Sequence, residues 1–139
     1  MEENQKLQGV YKIENILLTS LNFLRKEAID FKKDIKNNIN LVTEIGEIEN
    51  EEQIIVSVLL SVKAVQNNDE VFSIDIKMTG LFIKEGTPVL PEEVFKKVNA
   101  PAIIYPFIRE QVATTCLKSG LGNVFLPPVN FVERGTVNS

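Results

Sequence analysis

The chain has no histidine and a single cysteine among its 139 residues. Without histidine it lacks the usual general base and the commonest metal ligand. A cysteine–histidine metal cluster is excluded, and a serine nucleophile has no imidazole to activate it. Cys116 cannot form an intrachain disulfide. It falls in a predicted helix and reads as a small buried apolar residue rather than a reactive thiol. Long apolar runs are also missing, so no segment reads as a membrane span. The opening MEENQKLQG is polar and acidic with no apolar signal core, so a cytoplasmic protein is expected. Glycines do not cluster between a strand and a helix. Gly120 and Gly122 follow a helix, and no Lys-Ser or Lys-Thr pair completes a phosphate loop, so no nucleotide and no other cofactor is expected. The acidic run Glu44 to Glu52 lacks the Asp/Asn ladder of a calcium loop and reads as a solvated turn. Arg109 and Glu110 are adjacent on a helix and do not face each other, so they make no catalytic pair. Enzymatic chemistry is not expected. A net charge of −4 also argues against a nucleic-acid partner.

The sequence does contain apolar patterning. With 44% hydrophobic residues, 139 residues suffice for one domain over the whole chain with a real core. Val10 to Leu24 reads as a strand, with Tyr11, Ile13, Leu17, Leu21 and Phe23 on one face. Ile16, Leu18 and Leu24 make the other face partly apolar, as in a strand that is either central in its sheet or covered by a second layer or partner. Arg25 to Asn38 has the makings of a short helix, but Asn37-Asn38 breaks it, and the segment reads as a long connection. Ile39, Leu41, Thr43 and Ile45 alternate as a second strand. Ile54 to Ala64 and Phe72 to Phe82 alternate strictly about the turn Gln66-Asn67-Asn68-Asp69, which predicts an antiparallel hairpin with one buried face. Gly80 within it suggests a bulge or a close approach. Pro91 to Val98 predicts a short helix. A main helix is expected from Pro106, where a proline is tolerated in the first turn, to a stop at Gly120. Ile104, Ile108, Val112 and Cys116 recur at four-residue spacing along one stripe of it. An apolar extended segment, Val124 to Phe131, follows. A single sheet and one helix would struggle to cover all of this apolar surface, and large exposed apolar patches mark interaction sites.

Two motifs carry a resemblance. The first is Pro101-Ala102-Ile103-Ile104-Tyr105-Pro106-Phe107-Ile108-Arg109-Glu110, and the second is Pro128-Val129-Asn130-Phe131. The first resembles the helix-opening motif of the bacterial export chaperone family SecB, and the second its Pro-Val-Asn-Phe segment after the same helix. Tyr11 to Phe23 and Phe72 to Phe82 also match in pattern. The resemblance implies an α+β fold: a four-stranded antiparallel sheet with a long crossover after strand one, backed by one long helix and a short helix. It implies a homotetramer, a dimer of dimers with the long helix at its central interface. It also implies an ATP-independent holdase that binds unfolded polypeptides in apolar grooves.

On that basis Ile29, Phe31, Ile35, Phe125 and Leu126 are expected to contact clients. Ile104, Ile108, Val112 and Cys116 are expected at the oligomer interface. The family docks the translocation ATPase SecA through carboxylates on the exposed sheet face. Ser20 and Leu24 occupy two of the matching positions, and only Asp75 keeps its charge, so weak docking is expected. Typical members continue into a second helix and an acidic tail, where this sequence has only Val132 to Ser139. A SecB-like protein dedicated to one partner, such as an antitoxin-guarding chaperone, stays open beside the export holdase.

Overall fold

A computed structural model describes residues 9–46, 50–122, 124 and 126–133. Four strands, β1 (Val10–Arg25), β2 (Lys36–Ile45), β3 (Gln53–Gln66) and β4 (Asp69–Glu85), form one antiparallel sheet in the order β1-β4-β3-β2. The strict alternation of β3 and β4 sends Ile54, Val56, Val58, Leu60 and Val62 to one face, opposite Phe82, Gly80, Met78, Ile76 and Ile74. These side chains are buried and make the centre of the core. Between the strands, Asn67 and Asn68 have φ of 52° and 65°. Two successive left-handed residues define the tight hairpin turn whose twist suits the strands, and asparagine tolerates that conformation well.

Strand β1 departs from simple alternation. Its register against β4 slips between Ile13 and Asn15 and again between Leu18 and Ser20. Each bulge inserts one residue and inverts the phase of the strand beyond it. Ile16 pairs with Gly80 and Leu18 with Met78, so both join Tyr11, Ile13, Leu21 and Phe23 on the core face. Leu17 pairs with Thr79 and moves to the opposite face. The expected assignment of these three residues is therefore reversed. The connection to β2 is also shorter than expected. Asn37 and Asn38 pair with Ala64 and Lys63 inside β2, because an edge strand has to satisfy only one side.

After β4 the chain forms a continuous helical segment: α1 (Glu92–Val94), a π-helical turn (Phe95–Asn99) and α2 (Ala100–Lys118). The main helix thus starts before Pro106. Pro101 takes the first-turn position, where no N–H is needed, and Pro106 lies inside the helix. Pro106 denies a hydrogen bond to the carbonyl of Ala102, but both residues are exposed, so water can serve that carbonyl. The helix ends as expected. Gly120 adopts φ of 71°, and the Leu121 N–H donates to the Cys116 carbonyl at 2.9 Å.

Helix α2 packs on β3 and β4. Ile104, Ile108, Val112 and Cys116 are wholly buried against the sheet of their own chain. These four residues are core and not an oligomer interface, which corrects the expectation. A four-residue apolar period fixes which helix face is buried but not what buries it. Burial also pushes the Cys116 thiol above its ordinary pKa. Since the thiolate is the reactive form, Cys116 should label with aromatic disulfide reagents only when the domain opens. Labelling rates should therefore follow denaturant concentration as global unfolding does; fast labelling in native buffer would contradict this packing.

Candidate functional site

A helix is about 10 Å across and strands lie about 4.8 Å apart, so one helix covers roughly two strands. Here α2 covers the central pair and leaves the core face of both outer strands partly open, with Leu41 on β2 buried and Tyr11, Ile16 and Phe23 on β1 half-buried against the core. On β1, Ile13, Leu18 and Leu21 are exposed on the helix side, and β1 also has a free hydrogen-bonding edge. On β2, Ile39 and Ile45 are exposed on that side. The structure therefore has two apolar flanks, one on each side of the helix.

The crossover, Lys26 to Ile35, joins the two outer strands past the β3–β4 hairpin. Ile29 and Ile35 turn inward and pack against the core, while Phe31 is 55% exposed. The Arg25 guanidinium anchors the start of the crossover. It donates to the carbonyls of Lys26 at 2.7 Å and Glu27 at 2.9 Å, and to that of Ser119 at the end of α2. A cation suits that place, where unpaired helix carbonyls carry partial negative charge. The Lys26 N–H donates to the Val71 carbonyl at 2.9 Å.

Beyond α2 the chain returns along the helix. Leu126 and Phe131 are both 4% exposed. The Tyr105 hydroxyl donates to the Pro127 carbonyl at 2.8 Å, and the Tyr105 ring meets Phe131 edge-on with centroids 5.8 Å apart. Burial raises the pKa of that hydroxyl, which keeps it a donor. Among the described residues expected to contact clients, only Phe31 offers a large open surface. Ile29 and Ile35 are half-buried against the core. Leu126 is closed off inside the core, because its segment is clamped by Tyr105, and this corrects its expected role in the described conformation. Phe125 lies outside the described residues. Sequence reasoning missed Ile13, Leu18, Ile39 and Ile45 as open sites. The signal was the mismatch between four strands and one helix.

The face away from the helix is different. A chain of hydroxyls crosses it: Thr19 to Thr79 at 3.1 Å and Thr79 to Ser57 at 2.8 Å. Asp75 is exposed on this face beside a shallow depression of about 380 Å³, lined by Ser20, Asn40, Val42, Leu59 and Lys77. Glu44, another carboxylate here, is paired with Lys77 at 3.7 Å. A larger depression of about 760 Å³ lies near the start of the helical segment. Its two lysines, Lys84 and Lys96, already meet Glu92 at 3.5 and 3.2 Å, and the Lys96 ammonium holds that carboxyl below the usual range. No helix among the described residues is long and apolar enough to cross a membrane.

An open sheet half-covered by one helix, with apolar flanks and a crossover under the helix end, is the fold of a SecB-like chaperone. The Rv1957 SecB-like chaperone of Mycobacterium tuberculosis, solved in complex with a ChAD peptide from the Rv1956 HigA1 antitoxin, superposes with a TM-score of 0.72. It is 15% identical, over 86% of this chain and 91% of that one. The chain belongs to the SecB family: the model for the preprotein translocase subunit SecB matches residues 4–134. Protein-export protein SecB of Nitrosomonas europaea is 28% identical over 94% of this chain and 83% of that protein. Its counterpart in Cellvibrio japonicus is 30% identical over 87% and 74%. An uncharacterized protein of Methanocaldococcus jannaschii, MJ0357, is 24% identical over 86% and 78%. The family is one of chaperones in protein export and not of enzymes.

Proposed function

We propose that this protein is an ATP-independent holdase in the cytoplasm that keeps polypeptide clients unfolded by lodging their apolar segments on its helix-side flanks. The observation that carries this reading is the exposure of Ile13, Leu18, Leu21, Ile39 and Ile45 on the core face of the outer strands, with Phe31 exposed in the crossover. Hydrophobic burial is non-directional, so such a surface tolerates many client sequences. No nucleotide is needed, because binding and release follow from the client's own folding. In an aggregation-suppression assay without ATP, the wild-type protein should keep an unfolded client in solution. Replacing both Phe31 and Ile39 by serine should weaken client affinity at least ten-fold, since full burial of an apolar side chain stabilises by roughly 1.5–3 kcal/mol and about half of each is open to a client. Equal protection by the double variant would place the client elsewhere.

The holdase is expected to work as a homotetramer. The free edge of β1, flanked by exposed apolar residues on both faces, supports self-association through that strand. The outward side of α2, with Phe107 and Leu117 exposed, supports a second contact. Light scattering should report a tetramer at micromolar concentration, and a stable monomer would overturn this part.

A second reading is favoured by the open sheet face. Asp75 stands there with Glu44 already paired to Lys77, so little negative field is left to orient a basic docking partner. An isolated exposed ion pair contributes about 0–1 kcal/mol. We therefore expect weak docking to the translocation ATPase SecA. A chaperone dedicated to one client would fit such a face; the structural neighbour is seen in complex with a peptide of an antitoxin. Calorimetric titration with a cognate SecA decides between them. Submicromolar binding lost in Asp75→Ala would return the protein to conventional export.

A further inference from the structure

Gln66 ends β3 on the core side of the sheet, immediately before the hairpin turn, and is 9% exposed. It is one of three buried polar residues among those described, the others being Ser57 and Thr79 in the hydroxyl chain. A glutamine in that place costs desolvation unless its donors are used. They are used on the crossover. The side-chain Nε2 donates to the Asp30 carbonyl at 2.6 Å and to the Lys33 carbonyl at 3.3 Å. Those carbonyls begin and end one turn, Asp30-Phe31-Lys32-Lys33, which is closed by the Lys33 N–H on the Asp30 carbonyl at 3.2 Å. Within it, the Lys32 N–H donates to the Asp30 carboxylate at 3.0 Å. The turn carries Phe31, the most exposed aromatic ring among the described residues.

These contacts form a small device. One amide group, fixed in the core by the rigid β3–β4 hairpin, grips both ends of a turn that has no regular structure of its own. The turn holds an apolar ring out into water, where the hydrophobic effect would otherwise fold it inward. Ile29 and Ile35 seat the crossover on the core, but they flank the turn and do not set its apex. An isolated four-residue turn is weakly ordered, and ordering it before a client arrives removes an entropy cost from binding.

We propose that Gln66 is a positioning residue for client capture: it pre-orders the crossover turn so that Phe31 is presented to an apolar segment of the client. The proposal rests on the holdase reading above and adds a residue that touches no client.

The test uses the full chain and reads two things. The protein has no tryptophan, so Phe31→Trp installs a single reporter on the turn. In that background Gln66→Met, close in shape and apolar, should raise the ring's rotational freedom, read as a lower fluorescence anisotropy. Client affinity is measured with a reduced, permanently unfolded model protein. Gln66→Met should weaken binding about ten-fold in the otherwise wild-type chain, the size expected for about one lost hydrogen-bonded contact. In a Phe31→Ser chain it should change nothing, because the two residues act as one unit. Gln66→Glu, which aims an anion at two carbonyl oxygens, should weaken binding at least as much at neutral pH. Thermal unfolding of each variant checks that the domain is folded. If Gln66→Met also weakens binding in the Phe31→Ser background, the residue acts on the fold at large and the proposal is overturned. Unchanged anisotropy overturns it as well. A wild-type chain that binds no unfolded client overturns the holdase reading together with the role of Phe31. A wild type that binds, with both Gln66 variants unaffected, overturns the role of Gln66 alone.

Discussion

Val112→Asp should unfold the monomer instead of yielding a folded chain of lower oligomeric order. Val112 is wholly buried between α2 and the sheet, in the stripe of Ile108 and Cys116. A carboxylate there loses its hydration and gains no partner, which costs several kcal/mol even after relaxation. That is comparable with the whole stability of a domain, about 5–15 kcal/mol. The variant should therefore lose its far-UV helix signal near pH 7. The introduced acid would have a folded pKa raised above its unfolded value, so the penalty is smallest below the unfolded pKa and grows as pH rises through the folded one. Part of the structure should return near pH 4. Val112→Ala, by contrast, removes two methyl groups and leaves a small cavity, costing about 2 kcal/mol, and should stay folded with a lower Tm. A soluble, folded Val112→Asp monomer at pH 7 would mean that the helix packs differently.

Gly80→Val should destabilise the domain clearly, although valine is the better strand former. Gly80 sits opposite Ile16 on β1 and Val56 on β3, under the helix. A Cβ there would lie 2.6 and 2.8 Å from ring carbons of Phe82 and 2.9 Å from the Ile104 side chain. Both neighbours are wholly buried, so neither has free space to enter. Phe82 meets Phe95 edge-on at 5.1 Å, and Phe95 stacks on Tyr11 at 4.1 Å. Moving Phe82 therefore disturbs the seat of the whole helical segment. Overpacking of this kind costs about 3 kcal/mol at its upper range, against about 1 kcal/mol gained from strand propensity. Denaturant titration should show a clear loss of midpoint in Gly80→Val and a smaller one in Gly80→Ala. A variant at or above wild-type stability would show that helix and sheet are farther apart.

The β3–β4 hairpin is legible in the residues alone, because the Asn-Asn turn and the period-two alternation on either side of it agree. Gly80 suits either a bulge or a close approach by its type, and the packing of Phe82 and Ile104 makes it the latter. The hairpin's own register shift lies at Ala64/Val65, away from Gly80, and two more lie in β1, where nothing in the residues between Ile13 and Ser20 marks a doubled position; simple alternation therefore puts Leu17 on the wrong face. The stripe Ile104 to Cys116 reads correctly as buried but not as core of its own chain, since helical periodicity carries no information about what covers it. Pro106 has the chemistry of a helix start, yet Pro101 holds that position and Pro106 stands on the solvent side. The exposure of Phe31 agrees with its place in the crossover. The open flanks cannot be found that way, because Ile39 and Ile45 alternate just as buried residues do. Only the width of one helix against four strands reveals them.

The strand order has a consequence for biosynthesis. β1 leaves the ribosome first, yet its only partner in the sheet is β4, whose pairing residues follow Leu24 by about fifty positions. β3 and β4 join through a two-residue turn and can pair locally as soon as both have emerged, whereas β1 must close a far longer loop. Until then a sixteen-residue strand, apolar on both faces, waits unpaired. During its own synthesis this chain therefore resembles the clients it is proposed to hold. On the proposed reading, an already folded copy offers the flank on which such a strand could wait.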